Sequence, residues 1–177
     1  MGNNRISLAG ALVAAAVALP RLASATDDRV AEAQFVPECA SPPGNGEVLT
    51  SRGILAEGGH ALQISNGAKG NAIIKVRDTR DNAVVLSFYV GGSREVTIQG
   101  IPDGDYTVQY ATGDALDLGC RQFIELKWAE QFPGVQSFRT ERTATQIITS
   151  VLSYTLYEVA GGNVEPQTIS AEAFNQP

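Results

Sequence analysis

Between residues 83 and 113, apolar and polar positions alternate with period two in three consecutive runs: Val84, Leu86, Phe88 and Val90; Val96 and Ile98; Tyr106, Val108 and Tyr110. This period predicts strands with one buried face. The runs are separated by Gly91-Gly92-Ser93 and by Gly100-Ile101-Pro102-Asp103-Gly104. In the second, Pro102 presets φ, Asp103 bonds its own backbone and Gly104 supplies a left-handed residue, which reads as a hairpin turn. The stretch is therefore predicted to be a β-meander. Upstream lie two more strands. His60 to Ser65 carries Leu62 and Ile64 on one face, and residues 71–78 set Ala72, Ile74 and Val76 against Ile73, Lys75 and Arg77 before a turn at 79–82.

Downstream the period weakens. Leu116, Leu118, Phe123, Ile124, Leu126 and Trp128 follow no sustained repeat, so residues 114–132 read as a mixture of loop, strand and helical turn. Pro133-Gly134 is a break, residues 136–143 a polar edge strand, and residues 145–159 the longest β-favouring run, ended by Gly161-Gly162. Residues 166–177 read as a surface tail with one helical turn at 170–174. The expected fold is mainly β, an antiparallel β-sandwich of about seven or eight strands, with a small β-barrel as the alternative.

The chain's start changes the picture of where it works. Arg5, an apolar run at 6–19 and Ala23-Ser24-Ala25 together read as a secretory signal peptide over residues 1–25. The run is too short for a spanning helix, which needs roughly 20 apolar residues. Residues 26–46 then read as an N-terminal segment, with a short helix over 26–36, and a Pro/Gly-rich linker. Residues 47–165 are the β-sandwich domain and 166–177 the C-terminal tail. The leader takes Arg5 and Arg21 and no acid, so 13 basic residues less two leave 11 against 19 Asp and Glu. An acidic product of this kind does not suit nucleic acid or anionic lipid, whose affinity comes largely from Lys and Arg on phosphates. Cys39 and Cys120 are the only cysteines, and an even count in an exported chain reads as a disulfide.

Candidate chemistry is sparse. Asp103, Asp105, Asp114 and Asp117 surround one turn and the loop after it. They lack the D-x-D-x-D spacing of a calcium loop, and a glycosidase pair is defined by separation in space, so they read as turn residues facing water. His60, the sole histidine, stands beside Gly58-Gly59 with no Gly-x-Ser-x-Gly elbow in the chain, and reads as an exposed loop residue. Gly58-Gly59 and Gly91-Gly92 lack the continuation of a phosphate loop. Tyr89, Tyr106, Tyr110, Tyr154 and Tyr157 read as packing residues. No catalytic residue, metal ligand or cofactor is expected. One feature points to a partner: the run at 145–159 is apolar on both parities, with Ile147, Val151, Tyr157 and Val159 opposite Ile148, Leu152, Tyr154 and Leu156. One core covers one face. The second set is the candidate interface, for a partner protein or another copy, unless other segments of the chain cover it. The milder surplus of Ile73, Val85 and Tyr89 needs cover too.

Two segments carry a resemblance. Residues 71–113, with NAIIKVRD, LSFYV and VTIQGIPDGDYTVQYATG in order, and residues 155–174, with TLYEVAGGN and a final AEAF, resemble a family of exported bacterial β-rich domains. Its members stand alone after a signal peptide or are attached to modules such as a J domain. The turn Gly100 to Tyr106 is also similar to the G-[LI]-P-x-G-x-Y turn of transthyretin-like and adhesin sandwiches. The resemblance implies a β-sandwich and a non-enzymatic binding or structural role in the periplasm or at the cell surface, with no catalytic residues to carry over. The alternative is a small hydrolase acting on cell-envelope polymers.

Overall fold

The computed structural model describes residues 36–157 and 164–177. The leader read at 1–25, nearly all of the helix read at 26–36 and the Gly161-Gly162 stop lie outside them. Among the described residues twelve strands are formed: Val48–Ser51 (β1), His60–Asn66 (β2), Asn71–Asp78 (β3), Val84–Val90 (β4), Arg94–Ile101 (β5), Gly104–Gly113 (β6), Leu126–Gln131 (β7), Gln136–Phe138 (β8), Glu141–Arg142 (β9), Ile147–Ile148 (β10), Val151–Thr155 (β11) and Gln167–Thr168 (β12). One helix, Ala171–Asn175 (α1), follows. The large sheet has the order β1-β4-β3-β6-β7-β12, with β8 also on β6; the small sheet is β11-β2-β5, and β9 pairs with β10 alone. Neither sheet closes on itself among the described residues, which answers the barrel alternative: the fold is a β-sandwich.

The alternation read from the sequence builds the core between the sheets. Leu62, Ile64 and Ile98 from the small sheet meet Ile74, Val76, Leu86, Phe88, Val108 and Tyr110 from the large one. Ile74 sits directly across from Phe88 on one side and Tyr110 on the other, so bulky side chains stack in register across three strands. Fully burying each contributes about 1.5–3 kcal/mol.

The three runs at 83–113 are strands, but they do not form a meander. β4 and β6 both pair with β3, whereas β5 pairs with β2 in the other sheet. The chain crosses the sandwich after Val90 and crosses back after Ile101, so the predicted hairpin turn is a crossover. Both corners need glycine for close approach. A Cβ on Gly92 would lie 2.0 Å from the Lys69 carbonyl oxygen, and Gly100, at φ +89°, would place one 2.5 Å from that of Ala56. The runs at 136–143 and 145–159 are likewise each split, into β8 and β9 and into β10 and β11.

The outer face of the large sheet is also covered. Ile73, Tyr89, Ala111 and Ala129 pack under Leu116, Phe123 and Phe174. Val85 instead joins the inner core, because a register shift between Val76 and Arg77 turns it inward. The Cys39–Cys120 disulfide forms and fastens the segment before β1 to the 114–125 loop, where the Cys39 N–H also donates to the Leu116 carbonyl at 3.0 Å. The helical turn read at 170–174 is α1, and the C-terminal residues, mostly exposed, are anchored to the sheet at that turn. Phe174 is buried, Ser170 caps α1, Lys75 Nζ donates to the Phe174 carbonyl at 2.7 Å, and Arg77 donates to those of Phe174 and Gln176 at 3.1 and 2.7 Å. Two buried cations thus satisfy the carbonyls at the end of α1.

Candidate functional site

The four aspartates picked out in the sequence do not converge. Asp105 is the second residue of β6 and Asp114 follows its last, and a rise of about 3.3 Å per residue puts them roughly 30 Å apart. Asp114 is paired with Lys127, and Asp117 Oδ1 accepts the N–H groups of Arg121 and Gln122, shaping its own loop. At the other end, Asp103 and Asp105 line a cleft of about 300 Å³ with Asp78, Arg80, Tyr106 and Arg139.

Each charge in that cleft already has a partner. Asp78 holds Arg80, and Asp105 accepts from Arg139 at 2.7 Å and from Ser137 at 2.6 Å. Asp103 Oδ1 accepts from the Thr140 hydroxyl at 2.6 Å, the Thr140 N–H at 2.9 Å and His60 Nε2 at 2.8 Å. The side-chain bond from Arg80 and the bonds from Thr140 and His60 hold the carboxyls of Asp78 and Asp103 down at about 2, and Ser137 and Arg139 lower that of Asp105. Hydrolysis by a carboxyl pair needs one of the two held protonated near neutrality. All three here are pushed the other way.

His60 departs from its expectation as an exposed loop residue. It is fully buried at the start of β2, tilted against Phe138 with ring centroids 4.9 Å apart. Its Nδ1 accepts the Ser150 N–H at 2.8 Å, which places the ring proton on Nε2, facing Asp103. Both nitrogens are occupied, so no lone pair remains to take a proton from a nucleophile. His60, Asp103 and Thr140 form a lock that ties the β5–β6 crossover to the loops before β9 and β11. Among the described residues no three His, Cys, Asp or Glu side chains are placed to hold a metal ion.

The candidate interface is rearranged as well. Tyr154 and Leu156 belong to the inner core and Leu152 packs against it, with Tyr154 stacked on Phe132 at 3.8 Å between centroids. Burial raises the Tyr154 hydroxyl to about 12. Only Ile148 of the four is exposed, on the separate strand β10. The exposed set is instead Ile147, Ile148, Val151 and Tyr157. Of the five tyrosines only Tyr157 is exposed, and the other four are packed as the sequence suggests.

These exposed residues border an open sheet edge. β11 pairs in parallel with β2, and the flanking bonds run from Ala61 N–H to the Ser150 carbonyl and from Leu156 N–H to that of Ser65. Even-numbered residues therefore direct both backbone groups at β2, and the backbone groups of Val151, Ser153 and Thr155 point outward. Among the described residues nothing pairs with them. Strand β11, VLSYT, carries none of the charges, prolines or bulges that usually guard such an edge.

The second site that the sequence does not reveal lies on the outer face of the large sheet. There Lys75 and Arg77 are buried at mid-strand positions that alternation marks only as facing away from the core. No family model, no curated protein and no solved structure matches this chain.

Proposed function

We propose that this protein is an exported, non-enzymatic binding module of the bacterial periplasm or cell surface, and that it holds an extended segment of a partner protein along β11. The observation that carries the reading is the open edge: three outward N–H and three outward C=O groups on Val151, Ser153 and Thr155, beside Val151 and Ile147 at 66% and 62% exposure. Strand addition uses such backbone groups for affinity and alternate side-chain contacts for specificity. The leader-like start, the Cys39–Cys120 disulfide and the resemblance to exported bacterial domains support the compartment.

The test is a photo-crosslinking residue placed at position 151 in cells that express the full chain. The expected result is a discrete crosslinked species in the envelope or periplasmic fraction that disappears in Ser153→Pro. Proline removes an outward N–H and no backbone bond to β2, and the one side-chain bond lost, from the Ser153 hydroxyl to Gln63, is exposed, so the variant retains its fold, checked by circular dichroism. Twice the protein's own mass would identify a second copy as the occupant and overturn the partner assignment. No species in any fraction, or one that persists in Ser153→Pro, would overturn strand addition.

A further inference from the structure

On the outer face of the large sheet, the register aligns Thr50 of β1, Ser87 of β4 and Lys75 of β3 in one row. The row floors a cleft of about 260 Å³ whose walls are Arg52, Val84, Arg121, Gln122, Asn175 and Pro177. Three cationic side chains and no Asp or Glu line it. On a chain of formal charge −6, this is a local reversal of sign. Arg52 has one carboxylate nearby, Asp81 at 4.0 Å, and both side chains are more than half exposed, so that pair costs little to break.

The donors are held at two depths. Lys75 is buried, with one ammonium hydrogen given to the Phe174 carbonyl and the charge 4.6 Å from the Phe174 ring centroid. An ammonium group has three donors, so two remain. Ser87 is buried beside it. Arg52 and Arg121 are exposed at the rim, and Arg121 follows Cys120, so the disulfide fixes the base of its side chain over the sheet. Gln122 adds an amide. This set offers more N–H and O–H donors than the two oxygens of a carboxylate can take, and it suits a tetrahedral oxyanion, for which Arg forks and a Lys point charge are the usual partners.

We infer that this cleft binds a phosphoryl group, with Lys75 and Ser87 at its base and Arg52 and Arg121 closing over it. The site lies on the outer face of the large sheet, away from the β11 edge, and does not depend on the partner-binding reading. A free phosphate monoester and a phosphodiester polymer of the envelope present the same chemistry.

The test is thermal unfolding of the disulfide-intact protein at neutral pH, titrated with inorganic phosphate, glycerol 3-phosphate or poly(glycerol phosphate) at matched ionic strength in sodium chloride, with acetate as the carboxylate control. A ligand that binds only the folded state raises Tm in a saturable way. The expected result is such a rise with at least one phosphoryl probe, its Kd weakened about tenfold in Arg121→Gln and in Arg52→Gln and unchanged in Arg94→Gln. Both rim arginines are exposed, so these variants retain the fold. Tightest binding of the monoester identifies a small soluble ligand, and tightest binding of the polymer an envelope component. A rise that follows ionic strength alone, equal binding of acetate, or an undiminished response in Arg121→Gln overturns the inference.

Discussion

His60 shows how little one residue's neighbours in sequence reveal about its role. Two glycines precede it, yet its ring is sealed under Phe138, and its partners come from positions 103, 140 and 150. Truncating it would open a cavity and leave the Ser150 N–H without its acceptor. His60→Ala is expected to lose about 2–4 kcal/mol of stability in chemical denaturation. Its partner Asp103 adds a pH signature. A carboxyl lowered in the folded state contributes stability that is present above its unfolded value near 4 and is lost as pH falls through its folded value of about 2. Asp103→Asn should therefore show a shallower fall in Tm between pH 4 and 2 than the unsubstituted protein. Parallel acid limbs would show that the lock does not titrate.

Strands, crossovers and the outer cover were legible to different degrees. β3 falls on the residues read for it and β4 on its apolar run, because large apolar side chains every second residue fix both the element and the face it buries. The pairing was not legible, since alternation says that Val96 and Ile98 face a core but not which sheet supplies their neighbours. Gly91-Gly92-Ser93 and the Gly100 to Gly104 corner serve a hairpin or a crossover equally well. The outer-face cleft was hidden for a related reason: Lys75 and Arg77 meet carbonyls about a hundred residues away, and no local pattern encodes a contact of that range. The disulfide was readable from an even cysteine count in a chain read as exported, and it carries an expectation of its own. It closes a separation of 81 residues and holds the loop bearing Leu116 and Phe123 on the sheet. The Cys39→Ser, Cys120→Ser double variant should lose about 2–5 kcal/mol, read from urea unfolding, with β-sheet circular dichroism retained below the transition. No change in midpoint would mean that the outer layer holds without its staple.

At the scale of the whole molecule, the burial of Lys75 under α1 shapes the alkaline side of the stability curve. Desolvation, reinforced by the neighbouring Arg77 charge, lowers the Lys75 ammonium from 10.5 to about 8. Between those values the unfolded chain binds more protons at this site than the folded one, so stability rises with pH across that window. Two effects oppose the rise. The acidic chain gains net negative charge, and above pH 10 the buried tyrosines reverse the sign, because the hydroxyls of Tyr154, raised to about 12, and Tyr110, raised by burial and by Glu130, stay protonated in the folded state while their unfolded counterparts ionise. The Lys75 contribution is thus readable from pH 8 to 10, and it is isolated by subtraction. Lys75→Met keeps the length and apolar stem of the side chain and removes the titrating group, so the general charge effect and the tyrosines cancel in the comparison. The stability of the unsubstituted protein minus that of Lys75→Met, from urea unfolding at each pH, is expected to increase steadily from pH 8 to 10. A difference that stays flat across those two units would mean that Lys75 titrates as it does in water, and that the cover formed by α1 is open often enough to hydrate it.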